Sequence, residues 1–328
     1  MGGSVMALAG VLLQLNLLVS AASAPRPEAR SRVESVGRTD SGALLEQADR
    51  MKALLATEVD EGLKSGARFA EAKALLQASL AGGSVDGTRQ REAITRVLAD
   101  ESLAPADRFQ ISALDKEVAF RSRTYPGRSE AVAARVANAR SLIQEFPSVE
   151  EGYGYLLSLA TGSESATAKP LVGQLLESPA SEELKAKARR VQGRLALEGE
   201  EFSLAGLDGD ARAQVSGRPV VVYSWSVDQP MVLSLIQRLA RIEGVAFVGI
   251  NVDADPEPAA KAVALMGIPG LQLYDRGGLD GPLAKELHLT MTSSLLLVGS
   301  DGKVVDVAGH VDTETKVRRL VVTKGGRS

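Results

Sequence analysis

Catalysis or metal binding needs groups that titrate, attack or coordinate, and this sequence offers few of them in useful company. His288 and His310 are its only two histidines. Neither has a second ligand at metal-binding spacing, so each reads as a surface histidine rather than a ligand. Asp253, Asp255 and Glu257 present three carboxylates at alternate positions, donors that suit a hard cation such as calcium. They lack the glycine-turned loop and closing glutamate of such sites, and read instead as a solvated strand end with helix-capping acids. Ser293 and Ser294 are hydroxyls with no base nearby in sequence to activate them. Asp228 is the sole titrating side chain in the loop Ser226–Pro230. Gly277-Gly278 is loop punctuation, and no phosphate-cradling or dinucleotide fingerprint occurs. Cysteine is absent. The residues therefore predict neither a metal nor a cofactor.

The elements that must position Asp228 run from Gly217 to Asp253 as strand, loop, helix, strand. Pro219–Trp225 is a short run rich in β-branched residues, expected to be a strand buried on both faces. Pro230 suits the first turn of a helix, where its missing N–H costs nothing. Val232, Leu235, Ile236 and Leu239 form one helical stripe, Gly244 ends it, and Val245–Val252 is a second buried strand. A parallel βαβ unit leaves the loop at the carboxyl end of its first strand as the place for chemistry. Beyond it the pattern predicts a helix over Pro258–Gly267 and a strand over Leu271–Tyr274. A hairpin of Leu295–Val298 and Val304–Val307 through Asp301-Gly302 follows, then a closing helix over Thr313–Val321.

On these residues the sequence resembles the thioredoxin-like fold, and specifically the exported TlpA-like family of thiol–disulfide proteins. Gly217, Pro219–Val222 and Trp225 match the strand in that family's pattern G-K-x-V-V-V-x-F-W-A-x-W-C-P-P-C. Pro230 matches the first proline between its cysteines. Leu287-His288-Leu289, Ser294–Val298 and Ser300-Asp301-Gly302-Lys303 are similar to its y-G-V…P-T-x-F-L-I-D-x-x-G-K. The resemblance puts the two cysteine positions on Gln229 and Val232, the cis-proline on Ser293 and the buried acid on Tyr223. It implies an entry hairpin over Glu201–Val215, with Phe202 and Leu204 inward and Asp208-Gly209 at the turn. It also implies a peptide groove with Trp225, Ser226, Val227, Asp228 and Gln229 on one side. Met291, Thr292 and Ser293 bound the other side. An amide and an alkyl group cannot replace the attacking thiolate and the resolving thiol, so thiol–disulfide exchange is excluded. A thiol peroxidase fails for the same reason.

The rest of the chain sets the organisation. Its 328 residues suggest about two domains. With 38 basic against 41 acidic side chains and neither half basic, a nucleic-acid surface is not expected. Met1–Ala24 reads as a secretory signal, with the apolar core Val5–Val19 and the cleavage pattern Ala22-Ser23-Ala24, an uncleaved anchor being the alternative. That core is too short to span a bilayer, so no membrane span is expected once the signal is removed. The protein is expected to be exported: periplasmic, envelope-associated or secreted. Residues 25–40 read as a polar linker, 41–199 as a helical domain and 201–324 as the thioredoxin-like domain. Helix breaks fall at Gly82-Gly83, Tyr125-Pro126-Gly127, Phe146-Pro147, Ser178-Pro179 and Gly199. Phe146–Glu151 and Ser178–Glu183 echo each other at helix-hairpin spacing, consistent with degenerate αα repeats of the tetratricopeptide kind or with an irregular bundle.

Two function classes follow. One is a non-catalytic binding or scaffold module for a protein or peptide partner in the cell envelope. The alternative is an enzyme with non-thiol chemistry in the loop, built on Asp228, Gln229 and Ser293.

Overall fold

The computed structural model describes residues 40–57, 60–203, 207, 209–229, 231–307 and 312–325. The expected signal segment, most of the linker, Leu204, Asp208, Pro230 and His310 lie outside the described residues.

Six helices come first: α1 Ser41–Leu55, α2 Glu61–Leu80, α3 Gly87–Leu98, α4 Pro105–Arg121, α5 Arg128–Glu145 and α6 Glu150–Thr161. Their starts are chemical. Asp40, Asp60 and Asp86 each accept from first-turn N–H groups of α1, α2 and α3, satisfying donors that have no intrahelical partner. α4 begins instead with Pro105, whose ring presets the helical φ. The chain turns after α2 at Gly82, where φ is 82°. α1 packs on α2, α2 on α3 and α4, and α4 on α5. Their core is built from alanine and branched aliphatics, among them Ala48, Ala72, Leu75, Leu76, Val97 and Ile111. Phe109 meets Phe146 edge-on at 5.9 Å in a second cluster with Leu142 and Val149.

The chain forms two compact units, divided at Leu159 and Ala160 inside α6. The second unit therefore takes in α7, Ser165–Glu177, and α8, Glu182–Ala196, as well as the sheet. The change of sequence character at Gly199–Glu201 is not where the packing divides. After α8 come α9 Gly209–Val215, β1 Val220–Trp225, α10 Met231–Leu239, β2 Ala246–Asn251 and α11 Pro256–Met266. Then follow β3 Leu271–Tyr274, α12 Pro282–Glu286, β4 Leu295–Val298, β5 Val304–Asp306 and α13 Thr313–Gly325. The sheet order is β3-β2-β1-β4-β5. β1, β2 and β3 run parallel, while β4 opposes β1 and β5 opposes β4. This is the expected thioredoxin-like fold, with helices ahead of it.

The central strands β1, β2 and β4 are buried at every position, which is why they read as unbroken apolar runs rather than alternating ones. Val232, Leu233, Ile236 and Leu239 of α10 fill one side of the core against Val221, Phe247 and Leu297. Gly267, at φ 58°, caps α11 in the left-handed conformation.

The entry segment departs from the expectation. Residues 209–215 are a helix, not the second arm of a hairpin. Asp-Ala-Arg-Ala-Gln carries no β-branched or aromatic side chain, so local preference favours a helical turn. Among the described residues of the segment, Glu201 and its neighbours make sheet-like backbone bonds instead. Glu201 bridges Lys303, Gly199 N–H donates to Val304 O at 2.8 Å, and Phe202 N–H donates to Gly302 O at 2.8 Å. That strap pairs with residues 302–304, where β5 begins.

Candidate redox-site loop and groove

β1 delivers its last residues to the loop 226–229, and one carboxylate holds the loop in shape. Asp253, just past β2, accepts from Ser226 Oγ at 2.5 Å, Val227 N at 2.9 Å and Asn251 Nδ2 at 2.8 Å. Burial pushes its pKa up, but the bonds from Ser226, Asn251 and Val227 outweigh that and hold it below the ordinary carboxylate value. Gln229 N–H closes the turn on Ser226 O at 3.1 Å. Asp228 and Gln229 are exposed, and Val227 is 37% exposed.

The facing segment, 291–294, is tied to the same strand. Ser294 N–H donates to Ser224 Oγ at 3.0 Å, Ser224 Oγ donates to Met291 O at 3.3 Å, and Ser294 Oγ donates to Met291 O at 3.0 Å. A side-chain bridge then crosses the groove, with the Thr292 hydroxyl donating to Gln229 Oε1. The two rims therefore hold each other through Gln229. The peptide bond before Ser293 is trans, as are the others among the described residues.

Two further residues that the resemblance assigns to redox positions are absorbed into the core. Val232 is 3% exposed and packs with Leu233 and Ile236. Tyr223 stands where the resemblance puts a buried acid. Its hydroxyl donates to Pro269 O at 3.0 Å and accepts from Gln272 Nε2 at 2.9 Å. Burial pushes that phenol up to about 12, against a smaller opposing effect of Gln272. Gln272 Oε1 in turn accepts from Trp225 Nε1 at 3.1 Å. A Cβ at Gly249, the β2 residue beside Tyr223, would lie 2.3 Å from Gln272 Oε1. Glycine there makes room for the network.

The structure brings together Val227, Asp228, Gln229, Met291, Thr292 and Ser293 as the two rims. It withdraws two residues from the expected groove surface. Trp225 is fully buried, with its indole facing the core and Gln272, and Ser226 is buried under Asp253. Trp225 ends a strand with no solvent-facing side, and Ser226 is turned inward by its bond to Asp253. The three clustered acids have separate structural tasks. Asp253 anchors the loop, Asp255 caps α11 through Glu257 N, and Glu257 pairs with Lys261 at 2.7 Å. Among the described residues no cluster of three or more histidine, aspartate and glutamate side chains is arranged to hold a metal. His288 is half-buried rather than fully exposed, and its ring lies so close to Gly193 of α8 that a Cβ there would sit 2.6 Å from it. Sequence reasoning missed the bonds by which Asp253 and Thr292 hold the loop and by which Gln272 ties Trp225 to Tyr223. Asp253 stood out as a carboxylate at a parallel strand's carboxyl end and Thr292 on the expected groove, whereas Gln272 left no signal.

No family model matches the chain, and no curated protein matches it. Solved structures do. A thiol-disulfide oxidoreductase from Bacteroides fragilis NCTC 9343 is 22% identical, with 36% of this chain and 97% of that one covered and a TM-score of 0.30. A thioredoxin-like protein from Parabacteroides distasonis ATCC 8503 is 14% identical over 37% of this chain and 96% of its own, at 0.30. A thioredoxin-like protein from Bacteroides caccae ATCC 43185 is 14% identical over 72% of this chain and 94% of its own, at 0.38. The likeness is one of fold. Among the described residues, no helix is long and apolar enough to cross a membrane.

Proposed function

We propose that the sheet unit is a redox-inactive, non-catalytic module that binds a protein or peptide partner, in a TlpA-like protein exported to the cell envelope. The observation that carries this is the chemistry at the redox positions. Gln229 is bonded to Thr292, Val232 is core, and Tyr223 is bonded to Pro269 and Gln272. None can form or relay a mixed disulfide. What the loops still offer a partner is a pair of rims with partly exposed apolar side chains, Val227 and Met291, the latter 38% exposed. Methionine repacks readily around different side chains, which suits a binding surface. The bridge between Gln229 and Thr292 keeps the rims preorganised.

Photo-crosslinkers placed singly at Val227 and at Met291 test the reading in the native envelope. The expected result is one shared crosslinked species at both positions, lost with Met291→Asp. A crosslinker at Leu63 on α2 serves as control, and the same species there at equal yield defeats the groove assignment. Gln229→Cys with Val232→Cys is expected to close into a disulfide on mild oxidation. The unsubstituted protein is expected to match the buffer blank in a disulfide-reductase assay.

A further inference from the structure

We propose that the groove takes an extended segment of its partner in which an apolar side chain is flanked by lysine or arginine. The proposal rests on the groove reading above and adds the chemistry of the occupant. Val227 on one rim and Met291 on the other are both partly exposed, and the bond between Thr292 and Gln229 joins the rims beside them. An apolar side chain of the partner fits between the two. Asp228 follows Val227 by one Cα step of ~3.8 Å, so the neighbouring residues of an extended segment pass within reach of its carboxylate.

Charge selects those neighbours. Asp228 is exposed at the rim. Asp253 lies directly beneath it, bonded to Val227 N–H at 2.9 Å, and all three of its donors are neutral groups that leave its charge in place. No lysine or arginine occurs in 219–237, 242–260 or 286–302, although the chain carries 38 in 328 residues. Those stretches hold β1, β2, β4 and both rims. Other cations of the unit are engaged: Arg190 and Lys285 face Asp280, and Lys316 pairs with Asp306. Arg194, behind Met291, is held by Leu295 O and Val307 O with Asp306 in its field. Arg276 follows β3, two strands from β1, a spacing of ~10 Å at which salt screens it. Two carboxylates are too few donors for a metal ion, and among the described residues no larger cluster is arranged to hold one. The matching cation therefore comes on a side chain of the partner, where complementary charge also speeds encounter.

Amide NMR shifts of the full chain, titrated with an end-capped heptapeptide alternating valine and lysine, test the proposal. Saturable shifts are expected at Val227, Gln229 and Thr292, weakening as salt is added. The same peptide with glutamate in place of lysine is expected to leave them unmoved. Asp228→Asn is expected to lower the lysine peptide's affinity about two- to fivefold, the range of one exposed ion pair. Asp210→Asn on α9 is expected to leave it unchanged. Equal shifts by the two peptides, or equal affinity losses in the two variants, overturn the charge assignment and leave the groove standing. Shifts confined to other surfaces overturn it as well. In that event the crosslinkers at Val227 and Met291 separate the two readings: a shared species still captured there keeps the groove, and its loss removes both.

Discussion

Tyr223 carries a pH dependence that can be worked out by sign. Its phenol is raised from 10 to about 12 in the folded chain, chiefly by burial. Below pH 10 both folded and unfolded chains hold the proton, and the stabilisation is fully present. Between about 10 and 12 the unfolded chain gives up a proton that the folded chain keeps, so stability falls as pH rises. Above the folded value the loss is complete, at about 2–3 kcal/mol. Urea midpoints from pH 9 to 12 are expected to show this fall in the unsubstituted protein, and Tyr223→Phe should remove that part of it. Gly249 makes a second prediction from the same network. Alanine there drives a methyl into Gln272 Oε1 and the Tyr223 ring, and is expected to cost about 1–3 kcal/mol. An unchanged denaturation midpoint would show that the Trp225–Gln272–Tyr223 chain of bonds is loose.

At the scale of elements, Asp253 does for the loop what a disulfide or metal does elsewhere. Asp253→Ala removes three acceptor contacts around one turn. It is expected to cost about 2 kcal/mol and to speed amide exchange at Val227 and Gln229 more than in β2. Uniform protection across the two regions would assign the loop's order to packing alone. Much of this layer was legible in the sequence. Runs such as Val220-Val221-Val222 and Leu295-Leu296-Leu297 read as buried strands, and Gly267 marks a helix end by the φ that glycine tolerates, whereas α10 ends at Leu239 and Gly244 lies in the turn before β2. What hid was anything set by side chains far apart in sequence. The bond from Thr292 to Gln229 spans 63 positions, and the orientation of Trp225 depends on Gln272, 47 positions away. The segment 209–215 departs from the family pattern because its own residues favour a helical turn.

For the whole molecule the instructive residues are on α8. Its amphipathic pattern predicts a helix and says nothing about which domain it belongs to, so the composition change near Gly199 looked like the boundary. The bonds that assign it to the sheet reach 101 and 113 positions ahead, from Arg194 to Leu295 O and Val307 O. Arg190 adds a third, donating to Leu279 O at 3.3 Å. The strap from Gly199 to Phe202 follows directly and bonds to residues 302–304 at the start of β5. A chain cut to residues 201–328 loses α7, α8 and the first strap bond together. Val191, Leu195 and the stem of Arg194 would leave an apolar face uncovered, and the β5 edge would present unpaired backbone groups, a template for aggregation. A chain of residues 148–328 keeps α6 whole and retains those contacts. The expected outcome is a cooperative thermal transition for 148–328 and a broad, aggregating one for 201–328, read by circular dichroism and light scattering. Equal cooperativity in the two would mean that α7 and α8 rest on the sheet without stabilising it, and that the division belongs at Gly199 after all.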